Sequence, residues 1–297
     1  MSGTASGAFR PEPSDIEIVP VIDEECFEID LETMFPTSNA SLLRAGGAWL
    51  APEHLDPEFR RVRLSMKSWL IRAGHANILV DTCIGQHKER PRHPAWHRRT
   101  SDRLLRDLAM AGLAPEDIDM VLCTHLHADH VGWNTQLCNG RWIPTFPKAN
   151  YCMSGKELDD MRAMAAASPT AVNHGALQDS ILPVVEAGQS RFVVAGDELL
   201  PGIRVESLPG HSIDHLGLLV TRQGSDALFC GDAIHSALQL LFPEWSSAFC
   251  ADPKASAATR IAMLGRVADS GIELFPAHFG GPGSLRIQRH GAAFCPA

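Results

Sequence analysis

The sequence lacks several features that would place the protein in a specialised class. Its 297 residues contain no apolar run of about 18 residues that could span a bilayer. There is no long basic run and the net charge is −9, so we expect neither a nucleic-acid partner nor membrane binding. The eight cysteines form no C-x-x-C pair, and the first residues are neither basic nor apolar. We therefore expect reduced thiols, no secretory signal and a cytoplasmic location.

The remaining composition is that of a protein with a sizeable core. Apolar residues make up 45% of the chain and charged residues 21%. We expect residues 1–15, which are small and polar, to form a flexible tail and residues 16–297 to form a single domain. Residues 24–60 are a long irregular stretch that covers a site, wraps the surface or contributes to a homodimer contact. Residues 154–182 are a helical insertion, either a lid or ordinary packing helices.

One short segment combines three histidines and an aspartate: His125, His127, Asp129 and His130. The preceding run, residues 119–124, is apolar and partly β-branched, which predicts a buried strand that ends at these side chains. Imidazole and carboxylate are ligands for zinc and similar divalent ions. Because alternate residues of an extended segment face the same way, the first two histidines can reach one ion. The aspartate and third histidine follow a turn and can reach a second.

Further candidate ligands follow strands elsewhere in the chain. His211, Asp232 and His278 each come after an apolar, strand-like run that ends in a small residue or proline. Asp81 ends the predicted strand 77–81, where it can orient a ligating histidine or cap the loop. Strand ends that meet at one edge of a sheet are where α/β proteins place their chemistry. The joint pattern predicts one site with many ligands.

Taken in order, these residues resemble the metallo-β-lactamase-fold hydrolases over roughly residues 60–290. The resemblance implies an α/β fold, a four-layer αβ/βα sandwich with metals at one edge of two facing sheets. It implies two divalent ions, zinc by preference, although manganese, iron and cobalt accept the same ligands. It assigns His125, His127 and His211 to one ion, Asp129, His130 and His278 to the other, and Asp232 to both.

The same positions separate branches of that superfamily. The redox diiron branch replaces one histidine with an acid, whereas here every histidine is present, which favours hydrolysis. β-Lactamases generally have cysteine in place of Asp232, which argues against antibiotic hydrolysis. The segments 231–235 and 276–279 resemble the lactonase and methyl parathion hydrolase group. Acyl-homoserine lactonases have a tyrosine at the position of His235, so this position matches methyl parathion hydrolase better; the chain's single tyrosine is Tyr151.

We therefore expect a dinuclear zinc hydrolase of a small-molecule lactone or activated ester, with phosphotriesterase activity as a promiscuous reaction. A hydroxide shared by the two ions would be the nucleophile. Asp129 and Asp232 would balance charge and could relay a proton. His235 would donate a hydrogen bond to the substrate or leaving oxygen, unless it is a structural histidine, the role we expect for His215.

Other interpretations remain open. A thioester hydrolase resembling glyoxalase II would need basic residues for the glutathione carboxylates, and residues 88–92 and 98–99 are the candidates. A metal-binding pseudoenzyme is also possible, although a structural ion needs only four ligands in a closed site. Phe27 and Phe35 are candidates for the apolar lining of a pocket, and Trp133 could line it or belong to the core.

Overall fold

A computed structural model describes residues 16–167, 172–281 and 283–297. The expected tail at residues 1–15 lies outside the described residues.

The strands of the described residues are β1 (Ile16–Asp30), β2 (Arg61–Ala73), β3 (Ala76–Val80), β4 (Met120–Leu122), β5 (Thr135–Cys138), β6 (Arg141–Pro144), β7 (Asn150–Met153), β8 (Ser190–Phe192), β9 (Glu198–Leu200), β10 (Ile203–Ser207), β11 (Leu216–Val220), β12 (Ala227–Gly231), β13 (Glu273–Pro276), β14 (Ile287–His290) and β15 (Ala293–Pro296). The α-helices are α1 (Leu31–Met34), α2 (Ala40–Gly46), α3 (Arg103–Met110), α4 (Gly155–Ala167), α5 (Leu182–Glu186), α6 (Leu238–Leu241) and α7 (Pro253–Val267), and a π-helical turn, Leu177–Ile181, leads into α5.

The first sheet contains six strands in the order β1-β2-β3-β4-β7-β8. The neighbours among β1, β2 and β3 are antiparallel, whereas β3, β4, β7 and β8 run parallel. Side chains alternate across this sheet. Leu70 and Leu79, which are paired, pack with α3 and α4, whereas the next pair, Trp69 and Val80, packs with the second sheet. β3 and β4 confirm the strands predicted at residues 77–81 and 119–124.

The second sheet contains five strands in the order β13-β12-β11-β10-β9. Only its β12–β13 pair is parallel. Leu228 and Leu274 pack with α7, whereas Phe229 and Phe275 pack with the first sheet. Burial on both faces explains the continuous apolar character of these strands. Two facing sheets with helices on both outer sides form the predicted four-layer αβ/βα sandwich.

Trp69 joins the two sheets. Its ring lies 5.0 Å from that of Phe275 and 6.3 Å from that of Phe229, centroid to centroid. Its indole N–H donates to the carbonyl oxygen of Pro276 at 3.0 Å. Pro276 is the last residue of β13 and lies two residues before His278, so this contact also fixes the strand that carries a candidate ligand.

Two elements differ from the sequence prediction. The expected irregular stretch 24–60 begins with the second half of β1, because β1 continues to Asp30 through irregularities between Ile22 and Phe27. An extra residue in one strand breaks the two-residue alternation, so the pattern could not be followed across it. In the insertion expected to be helical over 154–182, a 3-10 segment, Val172–Gly175, precedes the π-helical turn and α5, and α5 ends at Glu186, beyond the expected end.

The helices are short. Among the described residues, the longest are α7, with 15 residues, and α4, with 13. Within the described ranges, the structure contains no helix with both the length and the apolar character needed to cross a bilayer.

We predict that Trp69→Ala lowers the free energy of unfolding by about 3–5 kcal/mol, because it leaves a cavity between the sheets and removes a buried hydrogen bond. Denaturant unfolding followed by circular dichroism measures this loss. Met110→Ala is the control: Met110 is 79% exposed, so its truncation should change stability by less than about 0.5 kcal/mol. If the two variants unfold at the same denaturant concentration, Trp69 does not join the sheets.

Candidate metal centre

The seven candidate ligands lie on loops that follow strands of both sheets. The loop after β4 carries four of them, and the loops after β10, β12 and β13 carry one each. Glycines allow two of these loops to pack closely. Gly210 precedes His211 at φ 122°, and a Cβ there would lie 2.2 Å from the backbone nitrogen of Ser256. Gly231 precedes Asp232 at φ 45° and packs against His215.

Three histidines converge on one point. The Nε2 atom of His211 lies 3.1 Å from Nε2 of His125 and 2.9 Å from Nδ1 of His127. The side chains of His125 and His211 are buried. Burial lowers the pKa of both histidines well below the usual value, so both imidazoles are neutral near pH 7. Neutral imidazoles are the form that binds a metal ion.

A second group of ligands lies beside the first. Oδ2 of Asp129 is 3.7 Å from Nε2 of His130 and 3.7 Å from Nε2 of His278. The Asp232 carboxylate lies between the groups. Its Oδ1 is 3.0 Å from Nε2 of His278 and 3.4 Å from Nε2 of His130, whereas its Oδ2 is 3.4 Å from Nε2 of His211.

These side chains fit divalent ions. Nε2 of His130 and Oδ1 of Asp232 are buried and have no hydrogen-bond partner, although polar atoms are seldom buried unpaired. Burial alone would raise the pKa of Asp232, but the surrounding imidazoles, above all His278, lower it well below the usual value and keep it ionised. Two three-ligand groups, His125–His127–His211 and Asp129–His130–His278, each present ligand atoms that lie within 4.8 Å of one another. The donor set of imidazole and carboxylate suits zinc and similar ions.

Four ligand histidines have a partner for the ring nitrogen that faces away from the site. His130 Nδ1 lies 2.9 Å from Asp81, His278 Nδ1 lies 3.1 Å from the Ser65 carbonyl oxygen, and His125 Nδ1 lies 3.1 Å from the Thr124 hydroxyl. His211 Nδ1 lies 3.6 Å from the Cys250 sulfur. Each Nδ1–H can donate to its partner, which leaves Nε2 free to bind an ion. Asp81 has the orienting position that its place at a strand end predicted.

Two further histidines lie at the same centre. His215 is fully buried and its Nε2 accepts a hydrogen bond from the Asp232 backbone N–H at 3.0 Å, so it has the structural role expected for it. His235 differs: both of its ring nitrogens lack a hydrogen-bond partner. Its Nε2 lies 3.3 Å from Oδ2 of Asp232, and its side chain lines the cavity above the ligands. Burial lowers the pKa of His235 to about 4, so the ring is neutral near pH 7.

The centre opens into a cavity of about 360 Å³. His127, Asp129 and His278 lie among the polar residues lining it. Most of its apolar lining comes from β1, β2, the loop after β3 and α4. The residues that these segments contribute include Phe27, Ile29, Leu64, Met66, Trp96 and Met161. A pocket with a mainly apolar wall and a few polar groups is typical of a small-molecule site.

A sequence profile of the metallo-β-lactamase superfamily matches residues 64–285. The chain belongs to this superfamily. An N-acyl homoserine lactonase from a Bacillus species is 28% identical over 137 residues, which cover 46% of this chain and 46% of the relative. The chain thus spans about half the length of this curated relative.

Two solved structures have the same fold. AidC, described as a dizinc quorum-quenching lactonase with a bound product, is 21% identical with a TM-score of 0.75 and covers 96% of this chain and 95% of its own. AbOPH, a hydrolase of the β-lactamase superfamily, is 21% identical with a TM-score of 0.78 and covers 99% of both chains.

The structure brings the seven predicted ligand residues together, whereas only part of the expected cavity lining borders the cavity. Phe27 lines the cavity, as expected. Phe35 and Trp133 do not, because both are buried in apolar clusters and fully shielded from solvent. The polar loop 86–99, which follows β3, contributes His93 and Trp96 to the rim of the cavity.

Sequence reasoning missed several partners of the ligands. Ser65 lies in β2 and acts through its backbone carbonyl, so its side chain carries no signal. Cys250 follows no strand, and its role depends on a contact between residues 39 positions apart. Thr124 directly precedes His125 at the end of a buried strand. Its hydroxyl group at that position was the one sequence signal for a partner of a ligand histidine. The Thr124 hydroxyl also contacts Asp81 at 2.8 Å, which connects two ligand histidines to one carboxylate.

We predict that Asp81→Asn weakens the ion held by Asp129, His130 and His278 more than the three-histidine ion, because Asp81 contacts His130 directly and His125 only through Thr124. Asp81 has φ 62°, a conformation that asparagine tolerates, so the backbone should be retained. If the side-chain oxygen of the new asparagine keeps the hydrogen bond from the Thr124 N–H, the asparagine NH₂ group faces the Nδ1–H of His130. The histidine must then change its tautomer or orientation, which should reduce affinity for that ion about 10- to 100-fold.

Chelator competition combined with metal counting measures this effect. The exposed carboxylate Asp102, which pairs with Arg106 on the surface, provides the control variant Asp102→Asn. Equal chelator resistance of wild type and Asp81→Asn would show that Asp81 does not orient His130.

Proposed function

We propose that the protein is a dinuclear, zinc-dependent hydrolase of lactones or activated esters. The observation that carries this proposal is the Asp232 carboxylate, whose two oxygens face two separate ligand groups at the base of an apolar cavity. Two bound divalent ions would supply a nucleophile from water at neutral pH and polarise the substrate oxygen. The lactonases and hydrolases among the similar proteins support the same reaction class.

The chain's own residues would hold and orient the substrate. Asp129 and Asp232 balance the charge of the centre, and Asp129 borders the cavity, where it can accept and release a proton. The neutral ring of His235 has an unpaired nitrogen close to Asp232 and can donate a hydrogen bond to the substrate or the leaving oxygen. His235 is therefore proposed as a catalytic residue and not as a structural one.

The cavity wall favours substrates with an apolar acyl or aryl group. Phe27 and Trp96 stand with ring centroids 5.7 Å apart, and Met66 and Met161 border the same space. Methionine side chains adapt to ligands of different shape. We therefore expect turnover of several apolar lactones, with aryl phosphotriesters as slow, promiscuous substrates.

A thioester hydrolase of the glyoxalase II type receives less support from the structure. Lys88 and Arg90 are buried, and Arg90 forms a bidentate pair with Asp179 at 2.6 and 2.9 Å. Arg98 is paired with Glu89, and Arg99 lies 3.3 Å from Asp23. Four of the five basic residues in these stretches thus have protein partners, which leaves the exposed Arg92 as the remaining candidate for binding glutathione carboxylates.

The cellular setting remains part of the proposal. All eight cysteines are free, and five of them are buried. Unpaired thiols are typical of a reducing compartment, which supports a cytoplasmic location. The absence of a nucleic-acid or membrane partner and the formation of a homodimer stay predictions from the sequence.

Initial rates on a substrate panel test the proposed reaction. The panel holds an aromatic lactone, two acyl-homoserine lactones of different chain length, a thioester and an aryl phosphotriester, each with metal-loaded and with chelated protein. We expect metal-dependent lactone turnover above all other rates. A faster thioester reaction would reassign the substrate class, and no turnover by the loaded protein would favour the pseudoenzyme.

We predict that His235→Phe lowers kcat for the best lactone by roughly 100-fold without loss of bound metal, because it removes one hydrogen-bond donor from the reacting centre. His235→Gln restores an N–H donor and should recover part of the rate. Steady-state kinetics at fixed metal content measures both variants. Unchanged turnover of His235→Phe would exclude His235 from the mechanism.

A further inference from the structure

One buried carboxylate connects the helical insertion to both loops that form the three-histidine group. Glu157 lies in the first turn of α4 and is 4% exposed. Its Oε2 accepts a hydrogen bond at 2.9 Å from the N–H of Leu126, the residue between two ligand histidines. Its Oε1 accepts one at 3.3 Å from the N–H of Asp214 and another from the hydroxyl of Ser212, which directly follows the third histidine.

The chemistry of these contacts requires a carboxylate. Backbone N–H groups can only donate, and one of them faces each oxygen of Glu157. An ionised carboxylate accepts at both ends, whereas an amide has one accepting and one donating end. Glutamine at this position would therefore accept a hydrogen bond from one loop and place its NH₂ group against the backbone N–H of the other loop.

A second residue of the insertion, Asn173, binds the loop of His125 and His127 with one hydrogen-bond acceptor and one donor. The Asn173 side-chain oxygen accepts from the N–H of Ala128 at 2.9 Å, and its NH₂ group donates to the carbonyl oxygen of Leu126. This pairing of one acceptor with one donor suits an amide. Asn173 has φ 49°, in the left-handed region where asparagine is enriched.

The beginning of α4 adds further contacts to the His211 loop. The Ser154 hydroxyl donates to the Asp214 carboxylate at 2.6 Å and accepts from the N–H of Glu157 at 3.3 Å. The Lys156 ammonium group lies 3.1 Å from the same carboxylate. The insertion is thus attached to both loops that carry the three histidines, and its described contacts resemble a fixed support more than a lid.

We propose that Glu157 is a positioning residue for the three-histidine ion, holding the His125–His127 loop and the His211 loop at the spacing that one ion requires. Asn173 supports the same loop from the other end of the insertion. This inference rests on the proposed dinuclear centre, but it concerns metal binding and does not depend on the substrate.

The test is Glu157→Gln, which keeps the shape of the side chain and places an NH₂ group against one backbone N–H. We expect the affinity of the three-histidine site to fall about 10- to 100-fold while the Asp129–His130–His278 site keeps its wild-type affinity. Titration of the metal-free protein with Co²⁺, followed by its visible absorption and by metal counting, resolves the two binding steps. Asp159→Asn is the matched control, because Asp159 lies on the same helix with its side chain 80% exposed.

Each outcome decides the proposal. Selective loss of one cobalt ion in Glu157→Gln, with normal binding in Asp159→Asn, supports it even if the wild type hydrolyses no lactone. Equal weakening of both ions together with a lower melting temperature would show a merely structural role and overturn it, and so would unchanged binding of both. If Glu157→Gln does not fold, Asn173→Asp provides the second variant, because it directs a carboxylate oxygen at the Leu126 carbonyl and should also weaken the three-histidine ion first.

Discussion

The Asp232 carboxylate is the constraint on which the rest of the centre depends. It is buried and stays ionised only because imidazoles surround it. An unpaired buried charge would be costly, so the loops that carry these histidines must converge on it. They leave strands of both sheets, and the sandwich therefore has to close before the centre exists. Trp69, between the sheets, helps to fix this closure through its bond to Pro276.

The sequence was most informative where one local rule decides the structure. A buried strand that ends in polar residues is visible without coordinates, which is why the positions of His125, His211 and Asp232 could be predicted. The strand predicted at residues 77–81 corresponds to β3 for the same reason. Contacts between distant segments leave no such signal. The bond between His278 and the Ser65 carbonyl joins residues 213 positions apart, and the sequence shows neither partner's orientation.

Tertiary packing also overrode plausible local interpretations. Phe35 looks like a pocket residue by composition, yet it fills an apolar cluster with Met34 and Leu43, whereas Trp133 has the core position that was one of its two predicted alternatives. The basic residues Lys88 and Arg90 look like a recognition surface, yet Asp179 holds them inside the protein. Burial lowers the pKa of Lys88 to about 7, so even its charge is not assured near neutrality. Charge in a sequence predicts a binding surface only if the fold leaves it exposed.

The apolar wall of the cavity and the metal ligands come from different segments of the chain. Phe27 and Ile29 belong to β1, and Met161 belongs to α4, whereas the ligands lie on loops after other strands. The tautomers of the ligand histidines are set by Asp81, Ser65, Thr124 and Cys250, which do not border the cavity. Selection on the β1 part of the wall can therefore proceed independently of selection on the ligands. Exchanges at Phe27 or Ile29 would reshape the cavity in descendants of this chain and leave the metal centre in place.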